Sequence, residues 1–179
     1  MPVEVVPYNP DWSRWFNEIA EPIQTEIGSY IVDIVHVGST SVVGMSAKPV
    51  IDIDIVIDDW EKFPLIVAGL GRLCYTHIGD LGITEREAFR YESTPEHRHN
   101  LYVCHKDSTA YKNHVMLKRH LNKNHVDFNR YIDLKFELAE SSIDVDQYCR
   151  SKTDLILEFL ESEGMTAEEL EEIRAQNLS

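Results

Sequence analysis

Residues 36–55 read His-Val-Gly-Ser-Thr-Ser-Val-Val-Gly-Met-Ser-Ala-Lys-Pro-Val-Ile-Asp-Ile-Asp-Ile, and this stretch decides the fold expected for the chain. Its first residues close a β-branched run over 30–37, and its last residues open a second run over 50–57. Such runs, bounded by glycine and charged residues, are typical of strands. The stretch therefore predicts two strands joined by a turn that starts at Gly38 and Ser39.

The turn has the composition of a phosphate-binding loop. Glycine lets the backbone bend sharply and approach a ligand, while the hydroxyls of Ser39 and Thr40 and the following N–H groups point to the same spot. If a helix begins at residues 40–43, its N-terminal donors and dipole add to such an anion site. The hydroxyls could instead cap that helix, and Lys48 could either neutralise phosphate charge or remain a surface lysine at the strand end.

Asp52 and Asp54 occupy alternate positions of the second strand. They therefore share one face, about 6–7 Å apart along the strand, while the intervening isoleucines take the opposite, core-facing side. Two neighbouring carboxylates repel each other, and Mg²⁺ resolves the repulsion, since it prefers one or two carboxylates with waters and substrate phosphates. The alternative is a sheet face open to water on which both are merely solvated. The Gly-Ser pair upstream favours the metal-binding interpretation.

Outside this stretch, local patterns predict a small mixed sheet followed by a helical C-terminal half. Further strands are expected over 3–6, 74–78, 87–93 and 98–104. The first helix is expected from Asn9 and Pro10 to Gly28, kinked or split at Pro22. Later helices are expected over 60–73, from Ser108 or Thr109, from Asp127, from Asp144, and from the Thr166/Glu169 capping box.

Composition excludes several function classes. The 179-residue chain has 17 basic and 31 acidic residues, a formal net charge of −14, which excludes broad binding to a nucleic-acid backbone. Three cysteines without a Cys-x-x-Cys pair are typical of a reducing compartment. No segment reaches the ~20 apolar residues of a membrane-spanning helix, and no signal peptide is recognisable. We therefore expect a cytoplasmic protein without a membrane partner.

The histidines raise a zinc hypothesis. His97 and His99 would share one strand face, a usable spacing for two ligands, and His105 follows closely. Neither a His-Glu-x-x-His motif nor a Cys/His finger spacing is present, so no dedicated zinc site is expected. A zinc-dependent hydrolase is therefore the third-ranked hypothesis.

The Gly-Ser turn followed by Asp-x-Asp resembles the nucleotidyltransferase superfamily of polymerase-β type, in which the turn holds a nucleotide's phosphates and the aspartates hold Mg²⁺. More closely, His36-Val-Gly-Ser-Thr through Lys48-Pro-Val-Ile-Asp-Ile-Asp is similar to the GrpB family (glutamate-rich protein B) of bacteria. Further matches lie at residues 7–12, 79–83 and 86–89, and at Tyr148 with Lys152. The resemblance covers nearly the whole chain.

This resemblance implies an α/β (α+β) fold, with a nucleotidyltransferase-like mixed β-sheet flanked by helices and a helical C-terminal part. We expect a single domain over 1–179, with a sheet-containing core over 1–107 and a helical part over 108–179. The implied function is metal-dependent transfer of a nucleotidyl group from a nucleoside triphosphate to an unknown acceptor. Some family members resemble extensions joined to an enzyme of coenzyme A synthesis, so an enzyme of that pathway is an expected partner.

The resemblance also assigns roles to individual residues. It implies that Asp52 and Asp54 are the catalytic residues and bind Mg²⁺ or Mn²⁺, and that the nucleotide-phosphate site is formed by Gly38, Ser39, Thr40 and Lys48. Candidates for accessory roles are His36, Arg86, His99 and Arg119. Arg86 could grip the phosphate or carboxylate of a second substrate or form a surface salt bridge.

The chain departs from the superfamily at its third carboxylate. The segment expected to supply it, residues 98–103, contains no acidic residue. The family's His-His-Leu-His pattern there is replaced by His99-Asn100-Leu101-Tyr102. This departure favours an alternative function, a non-catalytic nucleotide-binding or partner-docking module on the same fold.

Overall fold

A five-stranded mixed sheet lies at the centre of the computed structural model, which describes residues 4–141 and 150–178. Its strands are β1 (Asp33–Val37), β2 (Ile51–Ile57), β3 (Tyr75–Gly79), β4 (Arg86–Tyr91) and β5 (His99–His105). They are ordered β1-β2-β5-β4-β3. Strands β2 and β5 run parallel, and the other neighbouring strands pair antiparallel. Mixed α/β architecture is thus confirmed.

The described residues form six α-helices. These are α1 (Trp12–Ile27), α2 (Phe63–Arg72), α3 (Thr109–Lys123), α4 (His125–Ser141), α5 (Thr153–Ser162) and α6 (Ala167–Leu178). None of them is long and apolar enough to cross a membrane. Helices α1 and α2 bury their apolar residues against one face of the sheet, and α3 to α6 pack together through two smaller apolar clusters.

Strand β2 separates the core from a polar face. Its four isoleucines, at positions 51, 53, 55 and 57, are fully buried and pack against α1 and α2. Asp52 and Asp54 therefore point to the other face, as the alternation predicts. The side chain of His114, on α3, contacts Asp54 on that face. Helix α3 thus brings the C-terminal part of the chain over the two aspartates.

Several element boundaries differ from the sequence expectation. Helix α1 begins at Trp12, two residues late, because the Asn9 side chain accepts a hydrogen bond from the Asp11 N–H and holds a turn there. It then runs through Pro22 without being divided. Buried Trp12 on one side of the proline and buried Ile27 on the other fix both halves on the same sheet, and this packing outweighs the missing hydrogen bond.

The other boundaries shift by a few residues at most. Trp60–Lys62 form a 3₁₀ turn before α2, and α4 begins at His125 because Asn124 accepts from the Asp127 N–H. Ser108 caps α3 and Thr166 with Glu169 forms the predicted capping box. The expected strand over 3–6 is reduced, within the described part, to a bridge between Val6 and Ala47. The helix start expected at Asp144 lies outside the described residues.

The helix expected at residues 40–43 does not form. Ser39–Ser41 make one 3₁₀ turn, and Val42 is already extended. The Ser41 hydroxyl donates to the Gly38 carbonyl at 2.7 Å, a local bond that competes with helix continuation. The site next to this turn therefore lacks a helix dipole, and the N–H groups of Ser41 and Val42 are already bound to carbonyls of the turn itself.

Candidate functional site

The Gly38 backbone lies directly against the Asp52 carboxylate. Gly38 has φ +69° and ψ −175°, a conformation nearly restricted to glycine. A Cβ atom at position 38 would lie 2.3 Å from Asp52 Oδ2, far inside contact distance. Only glycine therefore permits this approach, and the predicted neighbourhood of the Gly-Ser turn and the first aspartate is present.

Asp52 is held in place from the neighbouring strand. The register pairs it with Asn100 of β5, whose side-chain Nδ2 donates to Asp52 Oδ1 at 2.7 Å. Burial raises the pKa of Asp52, although the Asn100 hydrogen bond and the charge of His114 oppose the rise. Asn100 thus occupies the position beside Asp52 on β5 and provides an amide rather than a carboxylate.

Asp54 has one oxygen bound and the other without a partner. Its side chain is 0% exposed, and Oδ2 accepts a 2.7 Å hydrogen bond from His114 Nδ1. Burial lowers the pKa of His114, but the charge and hydrogen bond of Asp54 outweigh burial and raise it overall. Within the described residues, Asp54 Oδ1 has no hydrogen-bond partner of normal geometry, which is uncommon for a buried oxygen. The weakly donating Cys104 thiol adjoins the Asp54 side chain, and burial, followed by the charge of Asp54, raises the pKa of that thiol.

Three further polar residues share this sheet face. Tyr102 pairs with Asp54 and Cys104 with Val56 in the register, and Arg86 of β4 pairs with Cys104. The Arg86 guanidinium lies over the Tyr102 ring at 4.3 Å, and its buried Nε has no partner in the described part of the chain. Burial raises the pKa of Tyr102 to about 12, and Arg86 partly offsets this effect.

Lys135, on α4, is a buried lysine whose burial was not predicted from the sequence. It is 2% exposed, its Nζ donates to the Ser46 carbonyl at 2.6 Å, and it lies 5.0 Å from the centre of the Tyr131 ring. Burial, followed by the charge of Lys152, lowers its pKa to about 7, against the opposing charge of Asp52. Its spacing of four residues from buried Tyr131 could have indicated an inward-facing position.

Two of the accessory candidates lie on the opposite face of the sheet. His36 stacks on Phe16 of α1 at 4.9 Å and binds Thr40 Oγ1 through Nε2 at 3.0 Å. Burial, with the nearby Lys118 charge, lowers its pKa to about 4. His99 binds the Tyr75 hydroxyl at 2.8 Å, and burial lowers its pKa. Neither side chain reaches the aspartates, because both alternate away from them.

The remaining candidates are distributed along the loop and the helices. Ser39 begins the 3₁₀ turn, and the Thr40 hydroxyl is used internally, since it donates to the Val50 carbonyl at 3.3 Å. Lys48 lies in the loop that leads to β2. Arg119 binds Glu163 through a 2.7 Å hydrogen bond at the end of α5. The structure thus brings Gly38, Asp52, Asp54 and Arg86 to one sheet face.

The histidines of the zinc hypothesis have partners within the protein. His97 binds Glu18 at 2.8 Å and stacks on Trp15, while His105 Nε2 donates to the Asp58 carbonyl at 3.3 Å. Over residues 4–141 and 150–178, no three or more His, Cys, Asp and Glu side chains form a group that could hold a metal ion.

The donor set on the aspartate face suits Mg²⁺ when other ligands complete it. Two carboxylates and the Asn100 amide are oxygen donors of the kind that Mg²⁺ binds, with waters and phosphates in the remaining positions. The buried, unpartnered Oδ1 of Asp54 is a group that a cation would satisfy. An ion here would depend on water or substrate oxygens.

Comparison with known proteins places the chain among GrpB proteins. A family model described as GrpB protein matches residues 2–162. The glutamate-rich protein GrpB of Alkalihalophilus pseudofirmus is 30% identical over 88% of this chain and 94% of its own length. The crystal structure of conserved protein GrpB from Enterococcus faecalis superposes with a TM-score of 0.78 at 27% identity, covering 89% of this chain and 96% of that one.

A shorter match comes from an enzyme. The dephospho-CoA kinase of Mycolicibacterium paratuberculosis is 36% identical over 80 residues, which are 40% of this chain and 20% of that protein. The similarity is therefore limited to a part of each chain.

Proposed function

The chain belongs to the GrpB family, and from that premise and the geometry of its aspartate face we propose that it binds a nucleoside triphosphate with Mg²⁺ and transfers the nucleotidyl group to an acceptor hydroxyl. One observation carries the proposal. Gly38, in a backbone conformation nearly restricted to glycine, lets the Gly-Ser turn lie directly against Asp52. On the same face, Asp54 has a buried oxygen without a hydrogen-bond partner of normal geometry among the described residues.

The residues of this face have distinct roles in the proposal. Asp52 and Asp54 would hold the ion, which would supply positive charge against the transferring phosphate. Backbone N–H groups at the start of the turn and the Ser39 hydroxyl would bind the phosphates. Asn100 orients Asp52, and His114 orients Asp54. The Thr40 hydroxyl supports the turn from within.

A non-catalytic role is the second candidate, and Asn100 favours it. Because the strand expected to supply a third carboxylate provides an amide beside Asp52 instead, the site can bind a nucleotide without turning it over. The partial similarity to a dephospho-CoA kinase supports docking to an enzyme of coenzyme A synthesis as one form of that role.

Metal-dependent nucleotide binding tests the proposal directly. We expect calorimetry to show ATP binding that requires Mg²⁺ or Mn²⁺, and Asp52→Asn to weaken it by about tenfold or more, because a carboxylate ligand is lost. Asp58→Asn is the matched control, since Asp58 is an exposed aspartate just beyond β2. Absence of metal-dependent binding in the parent chain, or equal losses in both variants, would overturn the proposal.

Product analysis separates the two candidates. The parent chain is incubated with ATP, Mg²⁺ and pools of small hydroxyl-containing acceptors, and mass spectrometry is used to follow adenylylated products and pyrophosphate. Nucleotidyl transfer yields both in equal amounts. Tight binding with neither product would favour the docking or sensing module.

A further inference from the structure

Lys135 is a buried lysine for which the described residues provide no counter-ion. No carboxylate in the described part of the chain lies within ion-pair distance of its ammonium, which has three donors and binds the Ser46 carbonyl. A buried, uncompensated charge is unfavourable, and structural lysines in protein interiors are normally paired. Its presence here points to a ligand that provides the missing negative charge.

The position of Lys135 connects it to the aspartate face. Ser46 belongs to the loop between the Gly-Ser turn and β2, so Lys135 of α4 contacts that loop from the side of the C-terminal helices. Lys135, Lys152 and Asp52 are close enough to influence one another electrostatically. Lys135 therefore lies beside the loop that joins the Gly-Ser turn to Asp52, within electrostatic range of Asp52.

We propose that Lys135 binds the polyphosphate of the nucleotide and is a substrate-binding residue of the site, an inference that rests on the proposed function for the identity of the ligand. An anionic chain bound beside the Gly-Ser turn would meet the Lys135 ammonium from the protein and Mg²⁺ held by the aspartates. Lys135 would then exchange or share its bond to Ser46 with a phosphate oxygen.

Binding by this lysine has a consequence for protons. Among the described residues, the charged groups that act on Lys135 are Lys152, just before α5, and Asp52 of β2; burial together with Lys152 lowers the pKa of Lys135 to about 7. A phosphate beside the ammonium favours its charged form. We therefore expect the complex to take up close to one proton at pH 8 and little at pH 6, so that affinity falls as the pH rises above about 7.

The experiment uses the full chain and two probes. Inorganic triphosphate in EDTA tests the lysine without metal, and Mg²⁺–ATP tests the proposed function. Calorimetry at pH 6 and pH 8, in buffers with different ionisation enthalpies, gives the affinity and the protons taken up. The variants are Lys135→Met, which is close in size, Lys135→Gln in case the first fails to fold, and Lys123→Met as an exposed control on α3. Thermal unfolding verifies that each is folded.

We expect Lys135→Met to weaken the binding of both probes by about tenfold or more at pH 7 and to abolish proton uptake at pH 8, while Lys123→Met changes neither. Unchanged affinity and uptake in Lys135→Met would overturn the inference and leave metal-dependent binding intact. If triphosphate binding depends on Lys135 but ATP binding does not depend on Mg²⁺, the phosphate-binding role of Lys135 would be supported and the proposed function would be overturned. Absence of both overturns both.

Discussion

Two polar clusters in the described part of the chain are built around buried side chains, and they differ in how completely their charges are paired. The first, which we call the paired cluster, joins α3, α4 and α5 and consists of Arg119, His120, Asp127, Arg130, Glu158 and Glu163. The second, the aspartate site, consists of Asp52, Asp54, Asn100, His114 and Lys135.

In the paired cluster each buried group meets a complementary one. His120 is 5% exposed, its Nε2 lies 2.9 Å from Asp127, and its Nδ1 lies 3.2 Å from Glu163. Arg130 and Arg119 bind the outer oxygens of the same carboxylates. Burial opposes ionisation of Asp127 and Glu163, but these hydrogen bonds outweigh it and lower the pKa of both.

The aspartate site leaves several groups without partners. Asp54 Oδ1 has no hydrogen-bond partner and Lys135 has no counter-ion among the described residues. Unsatisfied buried groups destabilise a fold, whereas satisfied ones specify it. The comparison therefore associates the paired cluster with the assembly of the C-terminal helices and supports the ligand binding that we propose for the aspartate site. Removing a side chain should destabilise the first cluster, and in the second it should change binding more than stability.

The largest effect on stability is expected from His120→Ala. The change leaves Asp127 and Glu163 without their shared partner and removes a ring that stacks on Phe159 at 4.7 Å. We expect a loss of about 3 kcal/mol in the free energy of unfolding, measured by urea denaturation. The control is His125→Ala at an exposed position on α4, which should lose little. If the two losses are similar, the paired cluster is not a stabilising element.

Gly38→Ala should have the next largest effect on stability, and it acts on the aspartate site. An alanine there meets both an unfavourable backbone conformation and the Asp52 carboxylate, so we expect a loss of about 2–3 kcal/mol and loss of Mg²⁺-dependent ATP binding. Gly82→Ala is the control, because Gly82 also has a positive φ but open space around its Cβ position. It should lose stability from strain alone and retain binding. Retained binding in Gly38→Ala would contradict the role given to the turn.

The sequence predicted the local features of these regions well. Alternation in β2 places the isoleucines on one face and the aspartates on the other, and Thr166 with Glu169 marks a helix start, because both features depend on residues a few positions apart. The helix start at Pro10 and a split at Pro22 were wrong, since an Asx turn places the start at Trp12 and tertiary packing keeps the helix continuous through the proline.

Long-range pairing could not be predicted in this way. The hydrogen bond between His114 and Asp54 joins residues 60 positions apart in the sequence, and the bond between Lys135 and Ser46 joins residues 89 positions apart. No local sequence pattern connects such distant residues. The proximity of Gly38 to Asp52 was expected only because two strands flank one short loop. The positions of His36 and His99 on the opposite face follow from register, which becomes known once the strand partners are known.

Lys135→Met should raise the stability of the folded chain, by less than the preceding variants lower it. Burial lowers the pKa of Lys135 from its ordinary 10.5 to about 7, so between these values the unfolded chain binds a proton that the folded chain lacks. The penalty is therefore fully present below about pH 7 and declines toward pH 10. We expect the variant to be about 1–2 kcal/mol more stable at pH 6, with a smaller gain at pH 9.

Urea denaturation at the two pH values measures this difference, with Lys123→Met as the pH-matched control. A structural lysine would behave in the opposite way, because its removal would break a favourable contact. A loss of stability at pH 6 would therefore place Lys135 with the paired groups and weaken the contrast between the two clusters.

Asn100→Asp is expected to have the smallest effect in the absence of metal and tests the contrast most directly. It replaces the donor that binds Asp52 at 2.7 Å by a second negative charge, so we expect a loss of about 1 kcal/mol in EDTA. It also places a third carboxylate beside Asp52 and Asp54. Mg²⁺ or Mn²⁺ should then raise the thermal midpoint more in this variant than in the parent, because a ligand that binds the folded state alone stabilises it by mass action. Asn17→Asp on α1 controls for added charge, and an equal metal-induced shift in all three proteins would show that the aspartate site holds no cation.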